Sequence, residues 1–208
     1  MMYRSIVLRA VAAGMAAVLL TLSLGAQAVS YQGQEFPDTL PLGGKTLVLS
    51  GIGERAAYGF HGYTAALYMT AKATTPEAVY AVTGPKRLEM RITLPMKSIG
   101  ANEFIKAINK SMDRNCTAEE RAAVGERIQR LNANIALVGS VKKGDRILID
   151  FLPDRGTTFM VNGKPYGDAV PGADVYSAFL KAFIGGRVSD DRLKAGLLGQ
   201  PTFKGQPT

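Results

Sequence analysis

The sequence has no tryptophan, one cysteine and one histidine in 208 residues. A single cysteine excludes a disulfide within the chain, so side-chain packing has to stabilise the fold. With one Cys and one His, a transition-metal site lacks most of its usual ligands. Cys116 stands between two helical segments without a catalytic motif around it, so we interpret it as structural. His61 lies near the end of a loop and is interpreted as an exposed residue without a role.

Long hydrophobic runs are also scarce. The apolar run from Ala10 to Leu24 covers 15 residues, whereas a helix that spans a membrane needs roughly 20. Arg4 and Arg9 stand before or at the start of this run, and Ala26-Gln27-Ala28 follows it. A basic start, an apolar centre and an A-x-A site are typical of a secretory signal peptide. We therefore favour a cleaved signal peptide over a single membrane anchor.

This interpretation sets the expected domain boundaries. Residues 1–28 form the signal peptide, residues 29–200 form one domain, and residues 201–208 form a flexible tail. After cleavage no stable membrane anchor remains, and the expected location is the periplasm or the medium. A mature chain of this length suits one domain with a sizeable core.

The net charge of the chain excludes few functions and is compatible with an anionic ligand. The chain carries 25 basic and 17 acidic residues, for a net charge of +8. The basic residues are scattered, and no nucleic-acid motif accompanies them, so we predict no nucleic-acid partner. Mild basicity is typical of many soluble surfaces, and it is also compatible with an anionic ligand.

Hydrophobic spacing predicts strands, then helices, then strands, then helices. The strands are expected at Lys45–Ser50, Ala57–Thr70, Leu88–Pro95, Arg146–Leu152 and Thr157–Val161. The helices are expected to begin near Thr75, Ala101, Thr117, Val175 and Ser189. We interpret GIGER, residues 51–55, as the turn between the first two strands.

One strand indicates how the layers are arranged. In Leu88–Pro95, apolar residues alternate with Glu89, Arg91 and Thr93, so we expect one packed face and one face in water. Helices on one side of an antiparallel sheet satisfy that pattern. The expected fold class is therefore α+β in two layers.

Three segments carry a resemblance to a known family. They are GKTLVLSGIGERAAYGFHGYTAALYM, GDRILIDFLPDRGTTFMVNGKPYG and AFLKAFIGGRVSDDRLKAGLLG. These segments are similar to the chalcone isomerase superfamily, in particular to its bacterial exported, chalcone isomerase-like branch, and the resemblance runs from Phe36 to Gly199. It implies an open-faced β-sandwich, in which a large antiparallel sheet is covered on one face by helices and a ligand cleft lies between the layers. We expect no cofactor and no metal.

The resemblance also implies which residues line the cleft. The arginine that follows G-x-G in this family matches Arg55. In the enzymes of the family this arginine pairs with an enolate, and in the fatty-acid binders it pairs with a carboxylate. The threonine of the second strand has Tyr63 or Thr64 nearby. Ile108 lies on the helix that forms the cleft wall. Aligned with the enzymes, three polar catalytic positions are occupied by Phe104, Ser111 and Ala182.

Three functions remain open at this point. The first is non-catalytic binding of a small apolar ligand with an acidic head, fatty-acid-like or polyphenol-like, with Arg55 as its anchor. The second is an isomerase or intramolecular lyase that uses Arg55 with Tyr63 or Thr64 on an enone such as a chalcone. The third is an interaction module whose cleft has closed and whose Arg55 is buried in an ion pair. The replaced polar positions favour the first, because each lost oxyanion donor costs about 3 kcal/mol of transition-state stabilisation.

Overall fold

A computed structural model describes residues 27–57, 60–94 and 98–200. Most of the predicted signal peptide, the predicted tail and the side chain of His61 lie outside the described residues. The strands are β1 (Ala28–Tyr31), β2 (Gln34–Pro37), β3 (Thr39–Leu42), β4 (Lys45–Ala57), β5 (Phe60–Met69), β6 (Lys86–Ile92), β7 (Ile99–Gly100), β8 (Ser140–Val141), β9 (Arg146–Leu152), β10 (Gly156–Val161) and β11 (Lys164–Pro165). The helices are α1 (Pro76–Ala81), α2 (Ala101–Asn115), α3 (Ala118–Ala136), α4 (Ala173–Ile184) and α5 (Asp191–Leu197).

A seven-stranded antiparallel sheet forms the centre of the fold, in the order β11-β10-β9-β6-β5-β4-β3. All five helices contribute buried residues to one core on one face of this sheet, among them Val79, Met112, Ile128, Phe179 and Leu197. On the other face, the β1–β2 hairpin covers a second, smaller core beside β3, β4 and β5. The predicted α+β fold, with helices on one face of an antiparallel sheet, is confirmed.

The prediction of a turn at GIGER is wrong. Residues 51–55 lie inside β4, where Gly53 pairs with Ala65 and Arg55 pairs with Tyr63. The glycines serve another purpose, because α5 packs directly on this strand. A Cβ on Gly53 would overlap the carbonyl oxygen of Leu193 and lie 3.0 Å from its carbonyl carbon. Glycine in a strand interior often marks such a close approach of another backbone.

The ends of the helices follow the predicted signals with one exception. Thr75 caps α1, and Thr117 forms a capping box with Glu120 at the start of α3, as predicted. The predicted cap at Ser189 is wrong, because Asp190 caps α5 and accepts the backbone N–H of Arg192 and Leu193. This shift of one residue leaves the Ser189 side chain available for another contact.

The polar face of β6 is not in water, contrary to the prediction. Glu89 is 0% exposed. Its carboxylate accepts hydrogen bonds from Arg91 Nε at 2.8 Å and from Arg146 Nη2 at 2.7 Å. The Arg91 guanidinium in turn lies 3.9 Å from the ring centroid of Phe36 in the β1–β2 hairpin. Long arginine side chains and the hairpin therefore cover a face that its alternating pattern assigned to solvent.

We expect Glu89→Gln to lower the free energy of unfolding by about 2 kcal/mol at pH 7, because it weakens a buried charge pair. Burial raises the pKa of Glu89, but the hydrogen bonds from Arg146 and Arg91 outweigh it, so the pKa is lowered overall. A carboxyl whose pKa is depressed by folding stabilises the protein above its unfolded pKa of about 4.3. That stability is lost as the pH falls through the folded pKa.

Urea unfolding at pH 7 and at about pH 3 checks this, since the difference between wild type and variant should shrink at the lower pH. Glu103→Gln is the matched control, because Glu103 is exposed on α2 and pairs with Lys106 at the surface. It should change stability by less than about 0.5 kcal/mol. Equal stability of wild type and Glu89→Gln at pH 7 would contradict the account.

Candidate ligand-binding site

A cavity lies between the sheet and the helices, in two adjoining compartments. We call the larger one the apolar chamber. It has a volume of about 280 Å³, and its walls include Met90, Ile92, Phe104, Ile135, Ile147 and Phe159. We call the smaller one, of about 110 Å³, the polar compartment. Its walls include Ile108, Ser111, Ala182, Ser189 and Asp190.

Four residues line both compartments and form their common wall: Arg55, Tyr63, Phe104 and Ala107. The guanidinium of Arg55 therefore stands where the apolar chamber meets the polar compartment. A pocket with mainly apolar walls and a few placed polar groups is the usual form of a small-molecule site. The presence of this cavity disfavours an interaction module with a closed cleft.

Arg55 is held between the sheet and the loop that precedes α5. Its Nη1 donates to Ser189 Oγ at 2.9 Å and lies 3.8 Å from Asp190 Oδ2. The Arg55 side chain is 33% exposed, so the ion pair with Asp190 does not bury it. The glycines of β4 make this arrangement possible, because they let α5 lie against the strand that carries Arg55.

Tyr63 and Thr64 lie on opposite faces of β5. Tyr63 is the cross-strand partner of Arg55 and lines the cavity. Burial raises the pKa of its phenol, and the smaller effect of Arg55 in the other direction does not offset this. The phenol therefore remains protonated and can donate a hydrogen bond. Thr64 is fully buried on the other face, where its Oγ1 accepts from Gln34 Nε2 at 3.2 Å. The prediction that places Thr64 in the cleft is corrected, since neighbouring strand residues point to opposite faces.

The predicted residues on the helices lie together. Phe104, Ile108 and Ser111 line the polar compartment from α2, at the spacing of one helical face, and Ala182 lines it from α4. Ser111 Oγ donates to the carbonyl oxygen of Ala182 at 2.7 Å. The single hydroxyl proton of Ser111 therefore joins two helices and is not available to donate to a ligand.

Two residues of the polar compartment were missed by the sequence analysis, Ser189 and Asp190. Ser189 reaches Arg55 across 134 positions of sequence. No local pattern reports such a contact, although one indirect signal exists. Closely spaced glycines in a strand indicate that another backbone approaches there, and α5 is that segment.

The remaining candidates for chemistry are few. Within the described ranges, no group of three His, Cys, Asp or Glu side chains is placed to hold a metal ion. The same ranges contain no helix long and apolar enough to cross a membrane.

Cys116 is buried, with its Sγ 3.9 Å from the Ala178 carbonyl oxygen, and burial raises the pKa of its thiol. A protonated, buried thiol agrees with the structural role expected for it.

Comparison with known proteins identifies the fold and then the family. The crystal structure of a fatty-acid binding protein from Arabidopsis thaliana is similar to the chain, with a TM-score of 0.59 and 12% sequence identity over 83% of this chain and 96% of that one. At this identity the likeness concerns the fold. The model of the chalcone isomerase-like family matches residues 28–199, and the chain therefore belongs to that family. The resemblance noted in the sequence is confirmed. Among curated proteins, none matches the sequence.

Proposed function

We propose that the protein binds a small apolar ligand with an acidic head, such as a fatty acid, and that it is not an enzyme. The observation that carries this proposal is the position of Arg55 at one end of a chamber whose other walls are mainly apolar. A guanidinium offers a planar fork of donors that fits a carboxylate. The fatty-acid binding protein of the same fold supports the same ligand class.

The chamber suggests the length of the ligand. A volume of about 280 Å³ holds about nine groups of the size of a water or a methylene, at roughly 30 Å³ each. Each buried methylene contributes about 0.8 kcal/mol. A medium-chain acid of about ten carbons fits this space, so decanoate is the probe of choice.

The same residues argue against catalysis. Phe104 and Ala182 offer no side-chain donor, and the proton of Ser111 is held by the carbonyl oxygen of Ala182. A developing enolate would therefore meet fewer donors than the enzymes of the family provide.

Calorimetric titration tests the proposal. We expect decanoate to bind and decanol, which has the same tail and no charge, to bind at least about tenfold more weakly. Native mass spectrometry of the protein isolated from its own cells should also show a bound acid. If neither compound binds and no acid is retained, the proposal is wrong.

An isomerase is the second candidate, because Tyr63 stands beside Arg55 on the neighbouring strand and supplies a phenolic donor. A chalcone incubated with the protein and followed by its absorbance tests this candidate. Turnover that is lost in Arg55→Ala would establish the isomerase and reject a purely binding role.

We also propose that the protein is exported. Arg4, Arg9, the apolar run that follows and the A-x-A site at Ala28 support export to the periplasm. The intact mass of the protein recovered from the cell envelope should correspond to a chain that begins at Val29. Recovery of the chain with its first 28 residues attached, in the cytoplasmic fraction, would contradict export.

A further inference from the structure

The polar compartment contains a carboxylate whose hydrogen-bonding capacity is only partly used. The side chain of Asp190 is 8% exposed. Its Oδ1 accepts the N–H groups of Arg192 and Leu193 as the cap of α5. Its Oδ2 lies 3.8 Å from Arg55 Nη1, beyond hydrogen-bonding length. Within the described residues, no hydrogen bond reaches Oδ2.

We propose that the natural ligand is a hydroxy acid, with a hydroxyl on the second or third carbon of an aliphatic acid. Arg55 holds the carboxylate, and Asp190 Oδ2 accepts the hydrogen bond of the hydroxyl. This inference rests on the proposed function and specifies the chemistry of the head group that the same site takes.

The chemistry of the polar compartment supports a donor on the ligand. A carboxylate oxygen has more than one site for accepting hydrogen bonds, and Asp190 Oδ2 meets Arg55 only at ion-pair distance, so it can accept a hydrogen bond from a ligand. Ser111 cannot supply the proton, because it donates to Ala182. Tyr63 and Ser189 also contribute hydroxyl groups to the lining, and its apolar side chains include Ile108, Phe183, Val188 and Leu193. A hydroxyl on a ligand in this compartment could therefore donate to Asp190 Oδ2.

The size and the position of the compartment support a hydroxyl close to the head. Its volume of about 110 Å³ holds about three or four water-sized groups at roughly 30 Å³ each. That is more than the two oxygens of a carboxylate require. Because Arg55 lines both compartments and Asp190 lines the polar one, a head group in the polar compartment can meet both side chains while the tail enters the apolar chamber.

Titrations of wild-type protein with decanoate, 2-hydroxydecanoate, 3-hydroxydecanoate and 10-hydroxydecanoate test the inference. We expect one of the first two hydroxy acids to bind about tenfold more tightly than decanoate, through a hydrogen bond to a charged acceptor. We expect 10-hydroxydecanoate to bind more weakly than decanoate, because its hydroxyl enters the apolar chamber.

Asp190→Asn identifies the acceptor. An asparagine still caps α5 through its amide oxygen, so the fold is retained. The variant should bind decanoate at least as tightly as wild type, since a negative charge beside Arg55 is removed. It should bind the preferred hydroxy acid and decanoate within about twofold of each other. Asp191→Asn removes the same charge from an exposed neighbour and should keep the preference.

The outcomes separate this inference from the function on which it rests. If decanoate binds and neither the 2- nor the 3-hydroxy acid binds more tightly, the hydroxy-acid inference is overturned and the acid-binding function stands. A preference that survives in Asp190→Asn overturns the role of Asp190. If no acid binds, both proposals fail.

Discussion

Replacing Arg55 by methionine is expected to weaken decanoate binding about a hundredfold. The guanidinium stands at the mouth of an apolar chamber, where few other groups can satisfy a carboxylate. Hydrogen bonds to charged groups contribute about 1.5–3 kcal/mol, and a hundredfold loss corresponds to about 2.7 kcal/mol. Methionine keeps most of the apolar stem and removes the charge, so the loss reports on the head group and not on the shape of the chamber.

Three comparisons make this result specific. Decanol should bind wild type and Arg55→Met with similar affinity, because it makes no ion pair. Arg130→Met, which removes the same charge from an exposed position on α3, should leave decanoate binding unchanged. Arg55→Lys keeps the charge but loses the planar fork, so its affinity should lie between those of wild type and Arg55→Met. Unchanged decanoate affinity in Arg55→Met, measured by calorimetry, would show that Arg55 is not the anchor.

Gly53→Ala is expected to lower the free energy of unfolding by about 3 kcal/mol, although it adds only one methyl group. The new Cβ would overlap the carbonyl oxygen of Leu193 and approach its Cα to 3.1 Å. Both atoms belong to the backbone of α5, so no side-chain rotation relieves the overlap, and α5 has to move away from β4. Asp190 and Ser189 move with it, and decanoate affinity should fall as well.

Gly125→Ala is the matched control. Gly125 lies within α3, and a Cβ there meets nothing within 4 Å. Alanine favours a helix over glycine by about 1 kcal/mol, so this variant should be more stable than wild type. Thermal unfolding should show Gly53→Ala shifted down by about 6–12 °C and Gly125→Ala shifted up by about 2–4 °C. Wild-type stability of Gly53→Ala would contradict the close packing of α5 on β4.

Local signals in the sequence predicted the local structure well. The capping box of Thr117 and Glu120 starts α3, and its apolar stripe, which includes Ile128 and Leu131, is buried. Asn162-Gly163 forms the expected tight turn, with φ values of 51° and 79°. In these cases the residues that determine the conformation are neighbours in sequence, so the pattern is sufficient.

The wrong predictions concern residues whose surroundings are formed by distant parts of the chain. Glycine at residues 51 and 53 is typical of a turn, but in this fold these two glycines allow the backbone of α5 to pack against β4. Glu89 alternates with apolar residues as a solvent-facing residue does, but Arg146 and the β1–β2 hairpin cover it. The resemblance to the family identified Arg55 and Tyr63 as site residues. Asp190 reaches Arg55 only because α5 packs against β4 in the folded chain.

A crystal structure of the protein with bound decanoate tests the central claim most directly, because it locates the head and the tail of the ligand together. The account predicts the carboxylate within about 3 Å of the Arg55 guanidinium. It also predicts the tail in the apolar chamber, between Met90 and Phe159 on the sheet and Ile135 on α3. Decanoate bound outside this chamber, or lying in it with its carboxylate directed away from Arg55, would contradict the account.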